Sequence, residues 1–381
     1  MISTSLRSTR RTFIARSVCA SGCLSFCALA QRAGMLAAES SPEQRRQASH
    51  WKRIREDVIE CRLCPRLCNV ADMERGYCGV RENRDGTYYT LVHSHPCTVN
   101  ADPIEKKPLF HFLPGTKALS LATAGCNMLC KFCQNWEISQ SRPEQLPRMQ
   151  LPPEKLIALS RQTGCRSIAF TYSEPIIAYE YILDTAAQKE RPDVSVIIIS
   201  NGFINPEPFQ ELLPHLQSVK IDLKGFTETF YQTYCDGRLR PVLDTLVALR
   251  KSNVWFEIVT LLISGLNDSE KEITEMTRWL KEHVGCDVPV HFTRFHPTFQ
   301  MKDHPPTQIR SIERACEIAR VAGLKFVYTG NVPGHPGETT LCPQCKTSLI
   351  QRYGHFVKSN RIINGKCPDC GTTIPGRWEK V

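Results

Sequence analysis

The chain has 381 residues, 41 % of them hydrophobic, which suffices for one large domain with smaller attachments and excludes global disorder. A net charge of +10 is a mild bias at this length, and no basic helix interleaved with aromatics is visible, so a nucleic-acid partner is not expected. Nineteen cysteines, gathered in groups with pairs two residues apart, exclude an ordinary thiol complement and fit metal or iron–sulfur sites better than a disulfide framework.

Residues 1–45 read as a targeting segment and linker. The first 38 residues carry no acidic side chain. "STRRTFIA" resembles the twin-arginine export motif, with Arg10 and Arg11 as the pair and Phe13 and Ile14 following. The same Arg- and Ser-rich features fit a transit peptide. The apolar stretch 17–30 ends in "ALA", a small-residue cleavage pattern, and is too short and polar for a stable membrane span. Cys19, Cys23 and Cys27 have the spacing of one helix face, although cysteines are ordinary among the small residues of processing segments.

Residues 46–115 form a small Cys-rich module. Cys61, Cys64 and Cys68 lie in "CRLCPRLC" and Cys78 in "GYCG". A module this small is expected to be stapled by a metal. Zinc would only hold it; a second cubane cluster would relay electrons. The spacing leaves both open.

Residues 116–335 change character. Apolar strand-length runs alternate with helical patterns: "ALSLATA" (118–124), "SIAFTY" (167–172), "VSVIIIS" (194–200), "SVKIDLK" (218–224), "VWFEIVTLLI" (254–263), "VPVHFTRF" (288–295) and "LKFVYTG" (324–330). Strand then helix, repeated about six times, predicts an α/β fold with a parallel sheet covered by helices. A partial (β/α)6 TIM-type barrel is the expected form; an open doubly wound sheet is the alternative. Either places chemistry at the carboxyl ends of the strands. Cys165, Cys235, Cys286 and Cys316 stand alone and read as buried thiols.

Residues 336–381 hold "CPQC", twenty-one residues, then "CPDC". Cys342, Cys345, Cys367 and Cys370 are expected to form a four-thiolate tetrahedral ribbon for zinc or rubredoxin-type iron.

The chemistry-bearing loop is "GCNMLCKFCQNW", directly after the first strand. Cys126, Cys130 and Cys133 give three thiolates, which bind three irons of a cubane and leave the fourth open, as a catalytic metal requires. A closed electron carrier would want a fourth cysteine nearby, and none follows within thirty residues.

C-x3-C-x2-C, with Phe132 before the third cysteine, resembles the signature of radical S-adenosylmethionine enzymes. The resemblance implies a [4Fe-4S] cluster whose open iron is chelated by S-adenosylmethionine. It implies reductive cleavage to a 5′-deoxyadenosyl radical and hydrogen abstraction from a substrate, which includes a protein glycyl group among the alternatives. Phe132 would then lie near the adenine. "YSEP" (172–175) resembles the family's Gly-Gly-Glu-Pro, with Tyr172 and Ser173 replacing both glycines. Glu174 would accept from the methionyl ammonium, or would simply start a helix. "SNGF" (200–203) and "DLKG" (222–225) resemble stretches of glycyl-radical-enzyme activating enzymes and offer Asn201, Asp222 and Lys224. Lys220 stands where those enzymes have a methionine beside a monovalent cation, so its ammonium is expected to replace that cation. His291, Arg294 and His296 in "HFTRFHP" are further candidates, with His296 at a strand end.

Across residues 55–381 the arrangement resembles a narrower group, the radical enzyme of the AmmeMemoRadiSam system, related to pyruvate formate-lyase activating enzymes. That implies a flavodoxin- or ferredoxin-type electron donor and Memo-like and AMMECR-like protein partners. A non-catalytic iron–sulfur electron-transfer or scaffold protein is the competing expectation. Location stays open between export by the twin-arginine-like segment and the cytoplasm, where S-adenosylmethionine and low-potential electrons are found.

Overall fold

The computed structural model describes residues 46–188 and 193–378. The twin-arginine-like pair and Cys19, Cys23 and Cys27 lie outside the described residues.

The organising element is an eight-stranded sheet. Its strands are β1 (Thr98–Pro103), β2 (Lys117–Ala122), β3 (Ser167–Phe170), β4 (Ser195–Ser200), β5 (Ser218–Asp222), β6 (Trp255–Leu262), β7 (Val290–Arg294) and β8 (Val327–Gly330). β1 pairs antiparallel with β2, and every later neighbour is parallel. Spatial order equals chain order, with β1 and β8 left as edges. A doubly wound sheet reverses its order at a switch point, so that alternative is not realised. The sheet is singly wound and open.

Consecutive parallel strands are joined by α1 (Pro153–Gln162), α2 (Tyr179–Ala186), α3 (Pro206–Leu212), α4 (Leu239–Arg250), α5 (Glu270–His283) and α6 (Ile309–Ala322). Local chemistry sets their ends. Proline opens α1 and α3 at the first turn, where no amide donor is needed. Ser269 caps α5 by accepting from the Glu272 amide, and Ile273, Met276 and Leu280 bury one face of it. Gly323 ends α6 in the left-handed region, at φ +104°. The central strands are nearly continuous in buried residues, because helices and loops cover the sheet.

The N-terminal module contains two three-stranded sheets, Arg46–Gln47, Thr87–Thr90 and Arg81–Arg84 in one, Trp51–Arg53, Val58–Cys61 and Asn69–Ala71 in the other. β1 belongs to the main sheet although it lies before residue 116, so the expected boundary near 115 falls inside the β1–β2 hairpin. That edge strand, "TVNADP", has no apolar run and was invisible to periodicity. At the other end, the C-terminal ribbon has strands Thr340–Leu341, Ser348–Tyr353 and Phe356–Asn360. It docks through Phe110, Phe326, Tyr328, Leu349 and Ile350. Among the described residues no helix is long and apolar enough to cross a membrane.

Candidate active site and metal centres

The carboxyl ends of the parallel strands open onto one cavity of about 470 Å³. The loop after β2 brings Cys126, Cys130, Phe132 and Cys133 to its wall. Backbone bonds fix the loop: Leu129 N–H donates to the Cys235 carbonyl at 3.0 Å and Lys131 N–H to the Tyr234 carbonyl at 2.8 Å. The Cys235 thiol interacts electrostatically with Cys130, so the expected structural thiol is a neighbour of the site. Burial pushes the Cys126 and Cys133 thiols up. At Cys126 and Cys133 the wall therefore favours neutral sulfur until a cation takes the thiolates and releases the protons, whereas Cys130 is shifted down.

Glu174, directly after β3, is buried, and its carboxylate is pinned from three sides. Oε1 accepts from Ser200 Oγ at 2.7 Å and Ile176 N–H at 3.1 Å, and Oε2 accepts from Asn201 N–H at 2.8 Å. The Ile176 bond caps the turn Pro175–Ala178. Glu174 thus starts a helical turn and faces the cavity at once; the two expected roles do not compete. Burial pushes its pKa up to about 7 despite these donors. Asn201 presents Nδ2 to Asn127 Oδ1 at 2.8 Å, tying the β4 end to the cysteine loop.

On β5, Lys220 and Asp222 form a tight ion pair, and Lys224 approaches Asp222 at 3.5 Å. Burial raises the Asp222 carboxyl, but the Lys220 and Lys224 ammonium groups outweigh it and hold it below the ordinary range. Burial lowers the Lys220 pKa against the pull of Asp222. Lys224 Nζ lies 5.9 Å from the Phe132 ring centre. All three line the cavity.

Tyr172 explains the departure from the Gly-Gly-Glu-Pro pattern. Its φ is +68°, a conformation that glycine adopts without strain. Tyrosine is held there by its contacts. Its hydroxyl bonds Asp102 on β1, Lys107 Nζ sits 4.3 Å from its ring centre, and its carbonyl accepts from Asn135 Nδ2 at 3.0 Å.

Two candidates fall elsewhere. His296 is exposed and does not line the cavity. His291 is a core histidine paired with buried Glu257 at 2.8 Å. Residues that the sequence did not single out include Asp102, Lys107, Asn135, Thr293, Asn331 and His355, all at the cavity or, for Asp102, behind it. Asn135 lies in the quoted cysteine loop and Thr293 in "HFTRFHP", but neither was assigned a role. The others arrive from the edge strand and the turn after it, a separate strand end and the ribbon hairpin.

The two outer cysteine groups differ in spacing. Cys342 Sγ lies 3.6 Å from Cys370 Sγ, and Cys345 Sγ 3.7 Å from Cys367 Sγ. Tetrahedral metal–sulfur bonds of about 2.3 Å place ligand sulfurs about 3.8 Å apart, so this quartet fits one zinc or iron ion. It is the set of cysteines among the described residues whose sulfurs all lie within 4.8 Å of one another. Cys61, Cys64, Cys68 and Cys78 instead stand further apart around a separate cavity.

The Radical SAM superfamily profile matches residues 120–280. The chain is 38 % identical over 334 residues to an uncharacterized protein of Methanocaldococcus jannaschii, covering 86 % of this chain and 98 % of that one. It is 25 % identical over 239 residues to GTP 3′,8-cyclase of Chlorobaculum tepidum, covering 58 % and 68 %. Among solved structures, a domain of a pyruvate-formate lyase-activating enzyme from Bacteroides vulgatus aligns with TM-score 0.39 at 19 % identity, over 43 % of this chain and 98 % of that one. A radical SAM methyltransferase from Sphaerobacter thermophilus aligns with TM-score 0.45 at 16 % identity, over 60 % and 71 %.

Proposed function

Because residues 120–280 match the Radical SAM superfamily, we propose that the chain cleaves S-adenosylmethionine reductively in the strand-end cavity and abstracts a hydrogen atom from a second substrate there. The observation that carries this reading is the convergence of Cys126, Cys130 and Cys133 with Glu174, Asp222 and Lys220 on one cavity wall. Three thiolates suit a [4Fe-4S] cluster with one open iron. When bound, cluster and S-adenosylmethionine together supply one-electron chemistry and a 5′-deoxyadenosyl radical.

The chain's own groups position and shield. Glu174 keeps one lone pair, on Oε2, for a methionyl ammonium, and its three donors hold it still. Lys220 presents a buried ammonium for the cofactor carboxylate, in place of a bound monovalent cation. Phe132 offers an apolar face, and Lys224 keeps positive charge beside it. Tyr172 and Lys107 close the β1 side.

The narrower reading is the radical enzyme of the AmmeMemoRadiSam system, with Memo-like and AMMECR-like proteins as partners. Its support is the run of motifs from "CRLCPRLC" to "CPDCGTTIPGRW". A glycyl-radical activating role rests on "SNGF" and "DLKG" alone. The test is anaerobic reconstitution with iron, sulfide, reductant and S-adenosylmethionine. 5′-Deoxyadenosine should form, and Cys130→Ala should abolish it. Its absence from the wild-type chain would favour a non-catalytic iron–sulfur protein.

A further inference from the structure

Cys61, Cys64, Cys68 and Cys78 line one cavity in the N-terminal module, and their arrangement decides between the two kinds of metal centre. No three of their sulfurs lie within 4.8 Å of one another, whereas all four ribbon sulfurs do. A single tetrahedral ion would have to draw this quartet inward. A four-iron cube carries its ligand sulfurs outward on separate corners, which needs the wider spacing. The sulfurs of Cys126, Cys130 and Cys133 likewise do not all lie within 4.8 Å of one another.

The lining carries a second, independent sign of an anionic occupant. Arg81 and Tyr88 are both fully buried and face this cavity. The terminal nitrogens of Arg81 bind Glu180 and the Ser49 carbonyl, yet its Nε finds no hydrogen-bond partner. The Tyr88 hydroxyl lies beside Cys61 and likewise makes no hydrogen bond among the described residues. Buried orphan donors are costly unless an acceptor fills the space between them. A backbone amide already points at one of the sulfurs: Tyr77 N–H donates to Cys68 Sγ at 3.4 Å. Sulfide and thiolate of a cluster accept from such donors.

The cavity adjoins the three-cysteine loop. Asn127, the neighbour of Cys126, and Ile176, two residues after Glu174, form part of its wall. Arg66 Nε donates to the Asn127 carbonyl at 2.6 Å. We infer that Cys61, Cys64, Cys68 and Cys78 hold a closed four-iron, four-sulfide cluster that passes single electrons to the catalytic one. In that step the closed cluster is oxidised by one electron and the catalytic cluster reduced by one. A one-electron carrier protein of flavodoxin or ferredoxin class restores the first. The site stands on its own residues; the electron transfer rests on the function proposed above.

The experiment is acid-labile sulfide and Mössbauer analysis of the reconstituted full chain beside the Cys126→Ala/Cys130→Ala/Cys133→Ala variant. The inference expects about eight sulfides per wild-type chain and about four in the variant. A ribbon ion contributes no sulfide. About four and none would overturn the second cluster and leave the proposed function standing. About four in both would uphold the second cluster and remove the catalytic one. Because the variant can fail to fold, the wild-type chain also decides when sulfide and zinc are counted together: about eight sulfides uphold the inference, and about four with one zinc ion beyond the ribbon's overturn it. For the transfer, rapid-freeze EPR after mixing with a reduced carrier protein should show the closed cluster's signal first, then decaying as the catalytic signal grows. Reduction in the opposite order would overturn the relay.

Discussion

At the scale of single residues, the site depends on close approaches that only certain side chains permit. Gly125, just before the first loop cysteine, has φ +90°, and a Cβ there would lie 2.4 Å from the Cys78 carbonyl oxygen and 2.8 Å from Val80 Cγ1. Gly125→Ala is therefore strained twice, by backbone and by contact. A loss of about 2–4 kcal/mol is expected in urea unfolding, together with weaker iron retention by both neighbouring cysteine sets. Unchanged stability would mean that the module and the loop do not touch as described. Glu174→Gln turns one acceptor into a donor facing either the Ser200 hydroxyl and Ile176 amide or the Asn201 amide. It should cost about 1–3 kcal/mol. In isothermal titration it should weaken S-adenosylmethionine binding at least tenfold, since the ammonium loses its charged partner. Tyr172→Gly tests the strained backbone from the other side: relief of φ +68° is set against loss of the Asp102 and Lys107 contacts.

At the scale of elements, the parallel strands were legible because burial on both faces makes them continuous apolar runs. "VSVIIIS" could be little else. Two of the helices, α1 and α3, followed from their proline starts. β1 was not legible: an edge strand with polar residues on it carries no period, and its pairing depends on β2 lying beside it. The same physics divides the site. Cys126, Glu174, Asn201 and Asp222 were readable because a strand end followed by a short motif fixes where they go. Asp102, Asn331 and His355 were not, because only the tertiary fold brings them near. His296 misled because it ends a strand's sequence pattern, yet its side chain is exposed outside the cavity. The ribbon is the element with the sharpest prediction. Two short antiparallel pairings hold its hairpin, so an ion held by its four cysteines is expected to supply much of its order. Chelation should release one zinc or iron per chain and lower the thermal midpoint by roughly 5 °C or more. Labile sulfide should stay constant, and hydrogen exchange should quicken first at residues 348–360. A midpoint unmoved by metal loss would make the ribbon's packing against Phe110 and Tyr328 sufficient by itself.

At the scale of the whole molecule, ribbon and sheet meet through buried polar groups, and this makes stability depend on pH. His111 lies fully buried between them. Nδ1–H donates to the Pro375 carbonyl at 2.7 Å, which leaves Nε2 to accept from the Tyr328 hydroxyl at 2.6 Å on β8. Arg352, also buried, donates to the Phe110 carbonyl at 2.7 Å and to Thr340 Oγ1 at 2.9 Å. Burial lowers the His111 pKa to about 4; Glu257 pulls it up, while Arg352 and His291 push it down. The unfolded imidazole takes up its proton near pH 6.5, the folded one only near 4, so the unfolded state binds more protons between them. The stability His111 contributes is present above pH 6.5 and falls progressively to pH 4, by about 3 kcal/mol. Glu174 acts in the opposite direction. Its folded pKa near 7 exceeds its ordinary 4.5, so its contribution is full below 4.5 and lost as pH rises toward 7. In the metal-free chain the two nearly offset between pH 4.5 and 6.5, and a shallow stability profile is expected there. Removing one group should expose the other. His111→Gln should make urea stability decrease as pH rises from 4.5 to 7, and Glu174→Gln should make it decrease as pH falls from 6.5 to 4. Slopes of the same sign in both variants would show that neither group governs the profile, and that the ribbon junction tolerates a charged imidazole.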